Sequence, residues 1–179
     1  MSSFNFIKDN ILRSNLDTAL DHINELVTVS ESKNYRKKPV QISSFRKTII
    51  IHIAAIIEAI LLWKLKRVCT SEKIELDDEW KYPDIKVLYE INKSEQVIAG
   101  KRIKEKRRLN KLDFLQLTRL CSKHKLIKTD RLSEDIDKVR TYRNRQHLGG
   151  LSVVERKYAK SDLEFCFNVT ERVIKDVSF

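Results

Sequence analysis

The fold is decided by one long apolar stretch, FRKTIIIHIAAIIEAILLWKLKR, at residues 45–67. Between Ile49 and Trp63 it is apolar on nearly all sides, and only His52 and Glu58 interrupt it. A membrane-spanning helix needs roughly 20 apolar residues, whereas this run is shorter and has a carboxylate near its middle. We therefore expect it to be the central helix of a soluble bundle, buried on most faces, and we expect no membrane contact.

Other segments on both sides of this stretch have the apolar spacing of three and four residues that marks an amphipathic helix. Ser43-Ser44 offers a cap for the central helix, and residues 30–40, polar and basic, are expected to be a linker. With only three glycines and two prolines, the chain lacks the turn residues of a sandwich or barrel. The expected helices cover residues 4–28, 42–70, 112–124, 133–148 and 161–177.

Between the helices, residues 74–110 have a different pattern. A partly alternating run at 85–91, a turn at 92–95 and a second run from Gln96 predict an inserted β-hairpin. Its second arm runs into the densest positive stretch of the chain, in which only Glu105 is acidic. The basic residues of this stretch are Lys101, Arg102, Lys104, Lys106, Arg107, Arg108 and Lys111.

The chain as a whole is strongly basic. Its 179 residues have a formal net charge of +11, which favours polyanionic partners such as RNA. The basic stretch is then a solvated arm, a surface that follows RNA phosphates, or a docking site for an acidic inhibitor protein. Three dispersed cysteines and an N-terminus unlike a signal peptide predict a single reduced, cytoplasmic domain over residues 1–179.

The residues best suited to chemistry lie on the helix predicted at 133–148. Arg140, Arg143, Asn144 and His147 share one stripe, because their offsets are three, four and seven residues. Arginine binds phosphate in a bidentate manner, and histidine can move a proton near neutral pH. A solvated basic face that includes a histidine by chance would have the same spacing.

Other polar residues have simpler interpretations. Glu58, on an apolar helix, needs a partner, and an arginine of the 140–143 pair is the natural one. His22 is expected to be solvated, His52 to be a core histidine, and His124 to lie at the surface. No two histidines stand at ligand spacing, so we predict no metal site.

The segment Arg143-Asn144-x-x-His147-Leu148, preceded by Val139-Arg140, resembles the signature of HEPN domains (higher eukaryotes and prokaryotes nucleotide-binding). The run from Arg46 to Ala59 is similar to the long first core helix of that family. The resemblance extends loosely over residues 42–177. It implies a mainly all-α, HEPN-like bundle of about five helices, to which this chain would add the small inserted β-hairpin.

Active members of that family, as the resemblance implies, are metal-independent endoribonucleases that work as homodimers without a cofactor. Carried over, His147 is the general base or acid, Arg143 the phosphate ligand, Asn144 the adjacent polar residue and Glu58 an orienting carboxylate. The neighbouring Arg145 is expected to contact RNA.

Three residues separate Arg143 from His147, fewer than the family usually has, and six separate Arg140 from His147. Either Arg140, followed by Thr141, is the matching arginine, or the motif is a shortened variant. Many relatives are toxins or antiphage defence proteins, which would make an antitoxin a further partner.

Two other functions fit the same residues. One is a non-catalytic HEPN-like module that binds nucleic acid or a partner protein. The other is a helical regulatory subunit whose basic hairpin docks an acidic protein.

Overall fold

The computed structural model describes residues 3–71, 79–105, 108–145 and 157–178. The protein is mainly helical with a small hairpin, as the sequence predicts. A short 3-10 turn at Leu109–Lys111 precedes the third helix. The elements are α1 (Asn10–Glu31), α2 (Pro39–Ser71), β1 (Glu79–Lys81), β2 (Lys86–Asn92), β3 (Glu95–Ala99), β4 (Ile103–Glu105), α3 (Phe114–Lys123), α4 (Asp130–Asn144) and α5 (Lys160–Ser178).

Helices α2 and α4 begin earlier than predicted. Helix α2 begins at Pro39, because proline has no N–H to lose and a fixed φ that suits the first turn. The hydroxyl of Ser43 does not cap this helix and instead accepts a hydrogen bond from the backbone N–H of Tyr158, at 2.8 Å. Helix α4 begins three residues before the expected Ser133, because the Thr129 hydroxyl accepts the N–H of Leu132 at 3.2 Å.

The N-terminal helix begins later than predicted, at Asn10 and not at residue 4. The Asp9 carboxylate accepts the N–H groups of Ile11 and Leu12, each at 3.0 Å, and so caps α1. Phe4 and Ile7 are therefore buried in the turn before the helix. Ile11 is exposed on the first turn of the helix.

The chain divides into two compact units. The first comprises residues 1–65 and 113–179, and α2 supplies the largest part of its core. The Cys121 Sγ of α3 donates to the Leu61 carbonyl at 3.7 Å, and the Lys64 Nζ donates to the Val177 carbonyl of α5 at 2.9 Å. Its buried α2 side chains are Ile49, Ile50, Ile53, Ala54, Ile56, Ile57, Ile60, Leu61 and Leu65.

Within the described part of the chain, α2 is the one helix long and apolar enough to cross a membrane. Half of its most apolar stretch is buried inside the protein. Fully burying a side chain such as isoleucine contributes about 1.5–3 kcal/mol. Each buried isoleucine of α2 therefore stabilises this unit substantially.

The second unit comprises residues 66–112. Strands β2 and β3 form the expected antiparallel hairpin, in which Val87 lies opposite Ile98. Every side chain on these two strands is exposed. Strands β1 and β4 form a second antiparallel pair, in which Trp80 lies opposite Lys104. The sequence pattern does not predict this pair.

Candidate functional site

The candidate residues of the first unit lie in the last turns of α4. A buried stripe holds this helix in the bundle: Leu132, Ile136, Val139 and Tyr142. Arg140, Arg143 and Asn144 lie beside this stripe and are half-buried. The described helix ends at Asn144. His147 and the Gly149-Gly150 pair lie outside the described residues, so the structure places three members of the predicted stripe.

The α4 arginine that reaches the central helix is Arg143. Its Nη2 lies 3.5 Å from the Oε2 of Glu58, and the two side chains are 33% and 29% exposed. The partner expected for Glu58 is therefore present. At 3.5 Å the contact is an ion pair and not a short hydrogen bond, so it restrains the guanidinium without occupying all five of its N–H donors.

The other arginine of the pair has a partner on its own helix. The Arg140 Nε donates to the Asp137 Oδ1 at 2.7 Å. The Thr141 hydroxyl donates to the backbone carbonyl of Asp137 at 3.0 Å. Asp137 is not among the residues predicted from the sequence, although its spacing of three residues from Arg140 is a usual one for helical ion pairs.

Arg145 follows the last residue of α4. Its guanidinium carbon lies 5.0 Å from the centre of the Tyr142 ring. Its Nη1 is buried and has no hydrogen-bond partner among the residues that the structure describes. A buried guanidinium nitrogen without a partner is costly, and an oxygen of a bound anion would satisfy it.

The predicted basic stretch belongs to the second unit. Its described basic residues, Lys101, Arg102, Lys104, Arg108 and Lys111, are all exposed. Lys106 and Arg107 lie outside the described residues. The one acid of the stretch, Glu105, pairs with Lys81 on β1. The hydrogen bond from Lys81 and then its charge lower the pKa of the Glu105 carboxyl, which keeps this carboxylate ionised and paired.

Two histidines that we did not pair lie side by side in the first unit. The His22 and His52 rings meet edge to face, with centroids 4.8 Å apart. Partial burial, and then the charge of His22, lower the pKa of His52. In the described ranges no group of three or more His, Cys, Asp or Glu side chains could hold a metal ion.

A separate cavity of about 670 Å³ lies near the start of α2 in the first unit. Arg46, in its lining, donates from Nη1 to the Tyr158 carbonyl at 3.2 Å. Arg46 is twelve residues before Glu58, about 18 Å along a helix, so this cavity and the α4 arginines are separate features. The remaining lining residues are Val27, Ser30, Glu31, Lys33, Arg36, Ile42, Lys160, Leu163, Glu164 and Phe167.

The end of α4 therefore presents three guanidinium groups against two carboxylates, those of Glu58 and Asp137. Such a group can bind a phosphate, because arginine donors match phosphate oxygens in geometry and charge. The member of the predicted stripe that can move a proton near neutral pH is His147, which lies outside the described residues. No family model, curated protein or solved structure matches this chain.

Proposed function

We propose that the protein is a metal-independent endoribonuclease of HEPN type. The observation that carries the proposal is the ion pair between Arg143 and Glu58. It links the arginine nearest His147 in the motif to the acidic residue of the central helix, the two positions that the family resemblance singles out. The proposal includes a HEPN-like bundle, a homodimer with two facing motifs, and a cytoplasmic toxin or defence protein with an antitoxin partner.

The position of Arg143 suits a phosphate ligand. One third of its side chain is exposed, so the guanidinium can reach solvent and a bound anion. The ion pair with Glu58 restrains the Arg143 guanidinium, which reduces the entropy lost when a phosphate binds. The Nη1 of Arg145, which has no partner among the described residues, provides a further donor close by in sequence.

The reaction would be a transesterification. His147 removes the proton of a ribose 2′-hydroxyl, O2′ attacks the adjacent phosphorus, and the bond from phosphorus to O5′ breaks. The leaving O5′ takes a proton from water, His147 returns its own proton to the solvent, and the products end in a 2′,3′-cyclic phosphate and a 5′-hydroxyl. Arg143, or Arg140, stabilises the extra negative charge on the phosphoryl oxygens in the transition state.

A second function is favoured by the pairing of both arginines. Arg140 contacts Asp137 on its own helix and Arg143 contacts Glu58 on α2, and such pairs also occur where arginines serve only to stabilise one helix or to hold two helices together. The protein would then be a non-catalytic module that binds nucleic acid or a partner protein, with the motif as a structural clamp.

The test is RNA cleavage by purified protein in EDTA. We expect wild type to cut RNA, and His147→Ala and Arg143→Gln to lose about 100-fold or more in rate, the usual contribution of such groups. Arg172→Gln is the matched control, because it breaks an ion pair of similar exposure with Asp135 in the same unit. We expect this variant to retain its activity.

Two outcomes contradict the enzyme. If His147→Ala cuts as fast as wild type, the cleavage comes from another site or a contaminant. If wild type binds RNA in a salt-sensitive manner and leaves it intact, the non-catalytic module is the better account.

A further inference from the structure

The small sheet formed by β1 and β4 has two different faces. Trp80 lies opposite Lys104, and Lys81 lies opposite Ile103. Because side chains alternate along a strand, continuing this register places Trp80, Tyr82, Arg102 and Lys104 on one face. We call these four residues the aromatic-basic face.

The two faces also differ in exposure. Trp80 and Tyr82 are 44% and 56% exposed, and Arg102 and Lys104 are exposed as well. On the opposite face Lys81, Ile103 and Glu105 are half-buried, and Lys81 pairs with Glu105. The large rings therefore lie on the more exposed face, where they contribute little to a core.

The aromatic and basic side chains of this face contact one another. The guanidinium carbon of Arg102 lies 3.8 Å from the centre of the Trp80 ring and 5.8 Å from that of Tyr82. The Lys104 Nζ lies 5.6 Å from the Trp80 ring centre. Contacts of this kind at exposed sites contribute about 0.5–1 kcal/mol each. They restrict the orientations of the indole, so a ligand that stacks on it needs less ordering of the protein.

We propose that the aromatic-basic face binds unpaired nucleotides of RNA. Bases would stack on Trp80 and Tyr82, and phosphates would contact Arg102 and Lys104. Aromatic rings interleaved with cations match the alternating bases and phosphates of a single strand, whereas the bases of a duplex are already stacked on one another. The proposal depends on the proposed function only in taking RNA as the ligand, and it names single-stranded RNA as the preferred form.

An acidic protein is the other polyanion that a basic surface could bind. Carboxylates need cations but gain little from two exposed rings, since the negative faces of the rings disfavour anions. The interleaving therefore favours RNA, and an acidic polypeptide becomes an arm of the test.

The chain has two tryptophans, Trp63 and Trp80, which makes the face measurable by fluorescence. The full-length double variant Trp63→Phe/His147→Ala leaves Trp80 as the one tryptophan and removes the proposed base. It is titrated with a short uridine-rich single strand, with a duplex of the same length, with heparin and with polyglutamate. We expect saturable quenching by the single strand, at least fivefold weaker binding of the duplex, and no quenching by heparin or polyglutamate.

Affinity is then compared in variants. Trp80→Ala should weaken binding of the single strand about 5–150-fold, since stacking contributes about 1–3 kcal/mol per base. Tyr89→Ala is the matched control: it removes an exposed ring from β2 and should bind as wild type does. If Trp80→Ala fails to fold, Trp80→Phe should retain most of the affinity. The quenching titration of Trp63→Phe/His147→Ala, which keeps Trp80, then still decides.

Equal binding of single strand and duplex, quenching by heparin, or wild-type affinity in Trp80→Ala would each overturn the proposal. Competition by polyglutamate as strong as that by RNA would overturn it in favour of an acidic protein. Because binding is measured in a His147→Ala background, failure here is distinguishable from failure of cleavage.

Discussion

The ion pair between Glu58 and Arg143 predicts a measurable coupling energy. We consider Glu58→Gln, Arg143→Gln and the double variant: Glu58→Gln keeps the side-chain volume, Arg143→Gln shortens the side chain, and each removes a charge. If the pair links α2 to α4, the two single substitutions should cost more in total than the double one. The difference is the coupling energy of the pair.

Its size follows from the geometry. At 3.5 Å two unit charges attract by about 1.2 kcal/mol in water and by about 5 kcal/mol at an effective dielectric constant of 20, before any desolvation cost. Both side chains are about one third exposed, so solvent screens most of the larger value. We expect about 1 kcal/mol, at the upper end of the range for exposed pairs.

The assay is equilibrium unfolding in urea at low salt, with the free energy of unfolding extrapolated to water. Lys175 and Glu171 form the control cycle, because this pair within α5 is largely exposed and should couple by about 0.3–0.5 kcal/mol. A Glu58–Arg143 coupling no larger than that of the control would refute the link between the helices, and with it the orientation of Arg143 by Glu58.

Three further results are expected. The pKa of His52 is lowered in the folded state, so the contribution of neutral His52 to the free energy of unfolding should be complete above about pH 6.5 and be lost as the pH falls through the folded pKa. Unfolding curves of His52→Asn should lack this loss, and a pH dependence identical to that of wild type would exclude the contribution. Burial, and then the charge of Asp162, raise the pKa of the Cys166 thiol to about 12, so a thiol reagent at pH 8 should label half-exposed Cys69 first; preferential labelling of Cys166 would contradict its burial. Asp113 and Gln116 form a capping box on α3, so Asp113→Ala should lower the free energy of unfolding by about 1 kcal/mol, whereas an unchanged value would exclude the cap.

Apolar spacing predicts where the helices lie but not where they begin. The isoleucine-rich run of α2 is readable because burial dominates its composition. The start of α2 cannot be read from the sequence, because Pro39 and Ser43 both suit the start of a helix. Which of them starts it depends on Tyr158, more than one hundred residues later, whose N–H binds the Ser43 hydroxyl. Thr129 and Ser133 present the same choice at α4, and the Thr129 cap is the one that forms.

The site was partly predictable for similar reasons. The partner of Glu58 could be inferred, because a carboxylate on an apolar helix needs a cation. The meeting of His22 and His52 could not, since it depends on how α1 packs on α2. The strand position of Trp80 could not be predicted, because β1 is three residues long and its partner strand lies more than twenty residues away. No local alternation of polar and apolar residues therefore marks this strand.

We propose that this chain cuts RNA by attack of a 2′-hydroxyl, with His147 moving the proton. The most direct measurement compares one single-stranded RNA with the same sequence carrying 2′-O-methyl groups, with wild type and His147→Ala, in EDTA. We expect wild type to cut only the unmodified strand and to leave 2′,3′-cyclic phosphate ends, and we expect His147→Ala to lack this activity. Cleavage of the methylated strand, or unchanged cleavage by His147→Ala, would contradict it.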